Sequence, residues 1–244
     1  MNIKAIQTGI LNPPKDDLFH ALKHAIHSLE ERSVLVVTSK VVSIHEGRCI
    51  KIEDVEQKDI LVHAEADMVL PLSYTPDRKS LFTLKNNLFV AGAGIDKSNG
   101  NGHYILLPED PIASALRIQA WAKEVYGVHE LGVIITDSYS TPLRRGASVA
   151  SIGFAGIAPL TDYRGEKDIF GRDFQFEVRN VIDGFASSGG VVMGEGGEMS
   201  PVALITDMPN TISFNEASLR DDLVFFLNAD SDRFGFLYRD LPWE

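Results

Sequence analysis

Short runs of apolar, largely β-branched residues recur along this chain at irregular intervals, and they constrain its fold more than any other feature. Each run is long enough for one strand, and a helix-like or turn-like stretch follows it. Strands are predicted over residues 1–11, 33–44, 87–95, 131–135 and 202–206. The run at 131–135 is apolar throughout, which is typical of a strand buried on both faces of a sheet.

Three other segments predict helices. The first has Asp16-Asp17 in its first turn, where the helix dipole favours negative charge. The second begins at Asp110-Pro111, an aspartate cap followed by proline at the first helical position, and stops at Gly127. The third is predicted to begin at Ser218, with apolar residues recurring at helical spacing after it.

The order of these elements predicts the fold class. Strands and helices mix without the regular βαβ alternation of a doubly wound sheet, which favours an α+β fold with mixed or antiparallel sheets. The length of 244 residues suffices for one large domain or two modest lobes. No repeat, low-complexity tract or linker-like composition divides the chain, so a single unit over residues 1–244 is predicted.

Composition excludes several classes of partner and site. A formal net charge of −11 argues against a general basic surface for nucleic acid, although single arginines can still hold a small anion. Cys49 is the only cysteine, which excludes an intrachain disulfide and a cysteine-rich zinc site. The first residues lack the apolar core of a signal peptide, and no later run is long enough to span a bilayer. We therefore expect a cytoplasmic protein without membrane contact.

Three predicted loops share one design, in which an apolar strand delivers an acidic residue into a turn of small and polar residues. They are AGAGIDKSNGNG with Asp96, Ser98 and Asn99, VIITDSYSTPLRRG with Asp137, Ser138, Arg144 and Arg145, and VVMGEGGEMSP with Glu195 and Glu198. Carboxylates suit hard cations such as Mg²⁺ or Mn²⁺. Glycines let backbone N–H groups approach a phosphate, and arginines clamp phosphates or carboxylates. These are the components of a phosphoryl-transfer site.

Each loop taken alone also has an ordinary structural interpretation. The Asp96 loop is a common turn sequence, Asp137-Ser138 suits a cap, and the Arg144-Arg145 pair suits a solvated surface. The glycine-rich loop is not a Walker motif, because no Gly-Lys-Ser/Thr follows it. Composition and spacing alone therefore indicate a phosphate- or metal-dependent enzyme and nothing finer.

Six longer segments carry a resemblance to a known family. They are VLVVTSKVVSIHEGR (34–48), AGAGIDKSN (91–99), LLPEDPIASALRI (106–118), GVIITDS (132–138), IGFAGIAPLTDYRGEKDIFGR (152–172) and VMGEGGEMSPVALI (192–205). In this order they resemble the coenzyme F-420-0:γ-glutamyl ligase family along essentially the whole chain. The resemblance implies a two-lobed fold of that type and a homodimer. Members of that family use GTP with a divalent metal to join L-glutamate to the carboxylate tail of a deazaflavin cofactor, and an acyl phosphate is the expected intermediate. For this chain, GTP or ATP and Mg²⁺ or Mn²⁺ stay open.

The resemblance also implies a site, residue by residue. The implied metal ligands are Asp96, Asp137, Ser138 and Glu195. The implied nucleotide contacts are Ile10, Leu11, Asn12, Pro13, Ser39, Lys40, Asn99, Met193, Gly194, Gly196, Gly197, Glu198, Met199 and Ser200. Arg144 and Arg145 are the expected catalytic residues, as a clamp for anionic groups. A monovalent cation is a further expected cofactor.

The loop after Asp137 departs from the family's pattern. The chain has Thr141 for an arginine, Leu143 for a tryptophan and Ala147 for a glutamine, while Arg144 and Gly146 keep their places. Ile44 stands where a lysine is common, which removes an expected phosphate contact. A changed loop beside the reaction centre leaves two acceptors open, a deazaflavin of the coenzyme F-420-0 type and a folate.

Two other functions remain compatible with the sequence. One is a non-catalytic nucleotide-binding relative, which would bind nucleotide tightly and form no product. The other is a metal-dependent hydrolase of phosphate esters, which would release phosphate without requiring glutamate. The four predicted metal positions are chemically intact, and this favours the ligase over both.

Overall fold

The computed structural model describes residues 1–53, 57–75, 80–214 and 225–244, and its largest element is a five-stranded sheet. The strands are β1 (Asn2–Ile6), β2 (Ser33–Thr38), β3 (Cys49–Lys51), β4 (Met68–Leu70), β5 (Phe82–Lys85), β6 (Leu88–Ala91), β7 (His103–Ile105), β8 (Leu131–Ser140), β9 (Ala147–Ala155), β10 (Leu160–Asp162), β11 (Val178–Asn180) and β12 (Val202–Thr206). The helices are α1 (Leu18–Ala25), α2 (Ser39–Glu46), α3 (Gln57–Glu65), α4 (Pro111–Tyr126) and α5 (Ile182–Met193). Mixed and antiparallel sheets with separate helices confirm the predicted α+β class.

The topology of the five-stranded sheet brings the ends of several strands to one edge. Its order is β1-β12-β2-β8-β9, with β2 and β8 parallel and the other neighbours antiparallel. Parallel strands end at the same edge of a sheet, and an antiparallel neighbour begins there. We call this edge, where β1, β2 and β8 end and β12 begins, the loop edge. The opposite edge, where β2 and β8 begin, is the base edge.

The central strands are buried on both faces because helices cover both. Leu35 and Val37 of β2 pack on one side with residues of α1, α2 and α4, while Val34 and Val36 pack on the other side with α5. Burial of an aliphatic side chain of this size contributes about 1.5–3 kcal/mol. The continuous apolar run of β2 thus makes the sheet a well-packed support for the loops at its edges.

Smaller sheets surround this centre. β4, β5 and β6 form a three-stranded antiparallel sheet, and β3-β7 and β10-β11 form two-stranded ones. Val62, Val69, Leu81 and Tyr104 belong to a separate buried cluster beside the three-stranded sheet. The two-lobed arrangement implied by the resemblance stays a prediction. None of the helices in the described part of the chain is long and apolar enough to cross a membrane.

One sequence-based expectation is wrong in a way that matters for the site. The segment 33–44, predicted as one strand, is β2 followed by α2, which begins at Ser39. The β-branched residues of α2 favour a strand locally, but Val41, Val42 and Ile44 are buried against the core. The helix ends at Gly47, whose φ of 75° is the left-handed conformation that commonly closes a helix. Packing and this terminal glycine therefore outweigh local propensity.

Other predicted boundaries are corrected or confirmed. β1 ends at Ile6, because the chain then turns through Gly9 at φ 77°. Strand 87–95 shortens to β6, because residues 92–94 form a 3₁₀ turn with positive φ. Asp17 is the cap of α1 rather than a first-turn residue. The helix of Pro111–Tyr126 and the strand Val202–Thr206 are confirmed, and β8 extends to Ser140. The start of the helix predicted at Ser218 lies outside the described residues.

Candidate active site

A cavity of about 710 Å³ opens at the loop edge of the central sheet. The sheet topology brings together four of the segments that line it. They are residues 9–13 after β1, the start of α2 after β2, residues 136–138 of β8, and residues 193–201 between α5 and β12. The strand order, rather than proximity in sequence, therefore assembles the site.

Asp137 lies near the end of β8, in the wall of the cavity. Its carboxylate accepts a hydrogen bond of 2.9 Å from the hydroxyl of Ser39, which follows the neighbouring strand β2. Burial raises the pKa of Asp137 to about 7, while the hydrogen bonds from Ser39 and from the Ser138 N–H act in the opposite direction. The negative charge of Asp96 raises this pKa further, and the charge of Lys40 lowers it. Asp137 is thus a carboxyl group without a full counter-charge.

Asp96 is held in the opposite way, by a lysine from α2. The Lys40 ammonium lies 2.6 Å from its carboxylate and also donates to the carbonyl and hydroxyl oxygens of Ser98. Burial raises the pKa of Asp96, but the hydrogen bonds from Lys40 and Ser98 and the charge of Lys40 outweigh it and leave the pKa lowered. Asp96 is therefore a paired carboxylate close to the less compensated Asp137.

The glycine-rich loop after α5 is tied to the rest of the site by hydrogen bonds. Glu195 accepts one of 2.7 Å from the Ser138 hydroxyl, and the Gly196 carbonyl accepts one of 3.1 Å from the Asn99 side chain. Within the loop, the Glu198 carboxylate accepts from the Gly196 N–H at 2.8 Å. Gly194 takes a φ of 75°, a conformation open mainly to glycine. The loop therefore lies against both acidic segments.

Comparison with known proteins identifies the family. The sequence model described as F420-0:Gamma-glutamyl ligase matches residues 5–207. The chain belongs to this family. The coenzyme F420:L-glutamate ligase of Methanopyrus kandleri is 31% identical over 208 residues, which are 78% of this chain and 81% of the relative. That of Methanothermobacter thermautotrophicus is 31% identical over 206 residues, with 79% and 81% covered.

Membership in the F420-0:gamma-glutamyl ligase family places the chain among the ligases that form carbon–nitrogen bonds. The match ends at residue 207 and includes every predicted site residue. It therefore covers all the loops that meet at the cavity.

Most residues predicted from the family resemblance line the cavity. They are Ile10, Leu11, Asn12, Pro13, Lys40, Asn99, Asp137, Ser138, Met193, Gly194, Glu195, Gly196, Gly197, Glu198, Met199 and Ser200. Ser39 and Asp96 lie directly behind them, bonded to Asp137 and Lys40. Arg144 and Arg145 are exposed in the turn between β8 and β9, and neither is among the described residues of the cavity wall.

The predicted metal ligands are near one another but do not form a closed metal centre. Within the described ranges, no three carboxylate, histidine or cysteine groups converge closely enough to hold an ion. Asp137 is bonded to Ser39, Asp96 to Lys40, and Glu195 to Ser138. Each of the three predicted carboxylate ligands thus already has a hydrogen-bond donor beside it.

Sequence reasoning missed an apolar wall on the other side of the cavity. It includes Val41 and Ile44 of α2, Val149 of β9 and Gly190 of α5. A Cβ at Gly190 would lie 2.5 Å from a methyl group of Val149, so glycine is required where α5 crosses β9. The sequence shows Ile44 as a departure from the family's pattern, but its place in the cavity wall is visible only in the structure. Only the pairing of distant elements reveals this surface.

Proposed function

We propose that this chain is a nucleotide- and divalent-metal-dependent γ-glutamyl ligase, which joins L-glutamate to the carboxylate tail of a small-molecule cofactor. The observation that carries this proposal is the cavity lined by Asp137, Lys40 and the glycine-rich loop. The names of the relatives support the reaction, because both are coenzyme F420:L-glutamate ligases.

The start of α2 and the glycine-rich loop support a nucleoside triphosphate, GTP or ATP, as co-substrate. α2 begins directly after Thr38, whose side chain makes no capping hydrogen bond to the helix. A helix N-terminus presents backbone N–H groups and a partial positive charge, which suit a phosphate. Gly196 and Gly197 line the same space and add backbone without Cβ atoms.

The side-chain types at the loop edge suit Mg²⁺ or Mn²⁺, and the proposal requires these side chains to draw together on the ion. Asp96, Asp137 and Glu195 offer carboxylate oxygens and Ser138 offers a hydroxyl, the ligand types that hard cations prefer. Because burial raises the pKa of Asp137 to about 7, a cation beside it would supply the missing counter-charge. A bound metal would neutralise charge on phosphate oxygens. A monovalent cation is a further proposed cofactor of this acidic edge.

The proposed chemistry activates the acceptor carboxylate, which by itself is a poor acylating agent. A carboxylate oxygen attacks the γ-phosphorus, the bond to the nucleoside diphosphate breaks, and an acyl phosphate forms. The amine of L-glutamate then attacks the acyl carbon, inorganic phosphate leaves, and the surplus amine protons pass to solvent. The residues of the cavity position the reactants and exclude water, so no covalent enzyme intermediate is needed.

Arg144 and Arg145 are proposed to clamp anionic groups of the reactants. Both are exposed in the turn between β8 and β9, so this role requires the turn to fold over the cavity mouth when substrates are bound. An arginine can form two parallel hydrogen bonds to a carboxylate or phosphate. The turn directly follows the site residues of β8, so only a short segment of the chain would have to move.

The first acceptor candidate is a deazaflavin of the coenzyme F-420-0 type, and the second is a folate. The observation that favours folate lies in the same turn, where the family's tryptophan is replaced by Leu143. This side chain is 99% exposed, and its φ of 59° holds it at the apex of the turn. Leu143 is not among the described residues that line the cavity, so the changed turn would alter contacts with the acceptor's head group only when it folds over the cavity mouth, and it would leave the ligation chemistry intact.

Mass spectrometry of product mixtures tests the proposal. Reactions would contain L-glutamate, Mg²⁺ or Mn²⁺, and GTP or ATP, with the deazaflavin and a folate offered in parallel. A product heavier by one glutamyl unit is expected from one acceptor and names it. Nucleotide binding without any product would instead indicate the non-catalytic relative, and phosphate release independent of glutamate would indicate the hydrolase.

We also propose that the chain is a homodimer, with the arm between β10 and β11 at the interface. The arm carries Ile169, Phe170 and Phe176, which are 92%, 82% and 86% exposed. Large apolar side chains grouped on one projecting segment commonly mark a protein–protein contact. Light scattering should show a dimer for the natural chain and a monomer for the Phe170→Ser, Phe176→Ser double variant. A natural chain that is monomeric at micromolar concentration would exclude this interface.

A further inference from the structure

The Lys40 ammonium forms an ion pair with Asp96, the carboxylate that the proposed function assigns to a metal. It lies 2.6 Å from Asp96 and is also bound by the carbonyl and hydroxyl of Ser98, at 3.0 and 2.9 Å. Its side chain is 24% exposed, and Lys40 also lines the cavity. The one lysine thus reaches both the acidic segment and the space proposed for the nucleotide.

We propose that Lys40 is an internal counter-ion of Asp96, and that its release from Asp96 couples metal binding to nucleotide binding. The inference rests on the proposed function, because it takes the nucleotide and the divalent metal as ligands. Lys40 is here a positioning residue, which acts on the metal through Asp96. Its hydrogen bonds to Ser98 aim it at the carboxylate and keep it there.

The charges around the cavity favour this exchange. The described residues that line it include the carboxylates of Asp137, Glu195 and Glu198 but only one lysine or arginine, Lys40. A metal that approaches Asp96 meets the Lys40 ammonium already in contact with that carboxylate, and two cations at that distance repel each other. Phosphate oxygens in the cavity would offer Lys40 another partner, which frees Asp96 for the metal.

Binding linkage turns this exchange into a measurable coupling. If a nucleotide raises the affinity for the metal, the metal must raise the affinity for the nucleotide by the same factor. Part of that factor comes from direct contact between phosphate and metal, and it persists without Lys40. The part due to Lys40 weakens the affinity for the metal when no nucleotide is bound. Removal of the lysine should restore that affinity.

The test measures Mn²⁺ binding without nucleotide, by the decrease of the free Mn²⁺ signal in electron paramagnetic resonance. Lys40→Met should bind Mn²⁺ about fivefold more tightly than the natural chain, which corresponds to about 1 kcal/mol. Lys40→Arg keeps the charge and should bind it as weakly as the natural chain. Lys97→Met is the matched control, because it removes the charge of an exposed lysine next to Asp96 in sequence. It should leave the affinity for Mn²⁺ nearly unchanged.

A purely structural role for Lys40 predicts the opposite sign. If the lysine only holds the Asp96 loop in place, Lys40→Met would disorder that loop and weaken Mn²⁺ binding. Lys40→Gln, which retains a hydrogen-bond donor, should then rescue the loss. Weaker binding in Lys40→Met, or the same gain in Lys97→Met, overturns the inference.

A second titration separates failure of this inference from failure of the proposed function. It repeats the Mn²⁺ measurement with a non-hydrolysable analogue of GTP, and then of ATP. Tighter Mn²⁺ binding to the natural chain with analogue, and a smaller enhancement in Lys40→Met, is the expected result. An equal enhancement in both proteins overturns the coupling alone. Absence of Mn²⁺ and analogue binding in the natural chain overturns the proposed function together with the coupling.

Discussion

Glu31 and Asp137 are carboxylates at opposite edges of the same central sheet, and their surroundings differ. At the base edge, Glu31 accepts hydrogen bonds from the backbone N–H groups of His129 and Glu130, at distances from 2.7 to 3.0 Å. These bonds lower the pKa of Glu31. At the loop edge, burial raises the pKa of Asp137 to about 7, and its side-chain donor is the Ser39 hydroxyl.

The difference indicates that the base edge of the sheet contributes to stability, whereas the loop edge provides groups for chemistry. At the base edge, polar groups are satisfied by the chain itself, and Arg32 adds bonds of 2.7 and 2.8 Å to the Glu130 and Ile212 carbonyls. At the loop edge, a carboxyl group is left without full compensation, which favours a ligand that supplies positive charge. Substitutions at the base edge should therefore change stability, and substitutions at the loop edge should change activity.

The largest expected effect is on activity at the loop edge. Asp137→Asn removes the negative charge proposed to hold the metal, with almost no change in shape. Loss of a group that stabilises charge at a reaction centre costs about 10²–10³ in rate. Glutamate-dependent product formation, followed by mass spectrometry, should fall by that factor. Ser140→Ala, at the exposed end of the same strand, is the control and should keep full activity; a similar loss there would contradict the assignment.

The same substitution should have the opposite effect on stability in the absence of metal. The folded-state pKa of Asp137, about 7, lies above the ordinary value of 3.8. Its stabilising contribution is therefore complete below pH 3.8 and is lost as the pH rises to 7. With a chelator present to remove metal, the free energy of unfolding of Asp137→Asn should be higher than that of the natural chain, by up to about 4 kcal/mol at pH 8. Urea titrations at pH 5, 7 and 8 should show the gain growing to pH 7 and then levelling; a gain independent of pH would argue against this origin.

At the base edge, a substitution should cost stability and spare the chemistry. Gly156 follows β9 at φ 70°, and a Cβ there would lie 2.2 Å from the Leu131 carbonyl and 1.8 Å from the Gln119 amide nitrogen. Gln119 itself donates to Leu131 at 2.8 Å, so Gly156→Ala breaks a buried contact as well as straining the backbone. We expect a loss of about 3 kcal/mol in free energy of unfolding.

Gly127→Ala isolates the backbone contribution to this loss. Gly127 has nearly the same φ, 69°, but nothing lies within 4 Å of a Cβ built there. Its substitution should therefore cost only about 1 kcal/mol. Equal losses in the two variants would show that the crowding at Gly156 relaxes freely. In both, the folded protein should retain its rate of product formation.

The sequence predicts local features of both edges well, because they depend on neighbouring residues. Asp110 caps α4 and Gly127 ends it, as their residue types and positions indicate. Asp137 lies near the end of β8 and Ser39 directly after β2, and the parallel pairing of β2 with β8 brings these two residues to one edge. Most of the site residues that the resemblance implies line one cavity, and their roles stay predictions.

Features that depend on packing between distant elements could not be predicted in this way. Val41 and Ile44 look like strand residues, and only their burial against the core makes them part of a helix. Val149 and Gly190 are unremarkable in sequence until α5 crosses β9. The Lys40–Asp96 ion pair joins residues 56 positions apart, which no local pattern encodes.

The smallest expected effect returns to Glu31 and tests the base edge by pH. Its lowered pKa means that its stabilising contribution is present above the ordinary value of 4.5 and is lost as the pH falls through the lowered pKa. Glu31→Ala should therefore reduce the free energy of unfolding at pH 7, by less than Gly156→Ala does, and the reduction should shrink at pH 3. Glu30→Ala, at the adjacent exposed position, should change little at either pH. If the two variants matched at pH 7, the backbone bonds to Glu31 would not stabilise the base edge, and the contrast with Asp137 would rest on the loop edge alone.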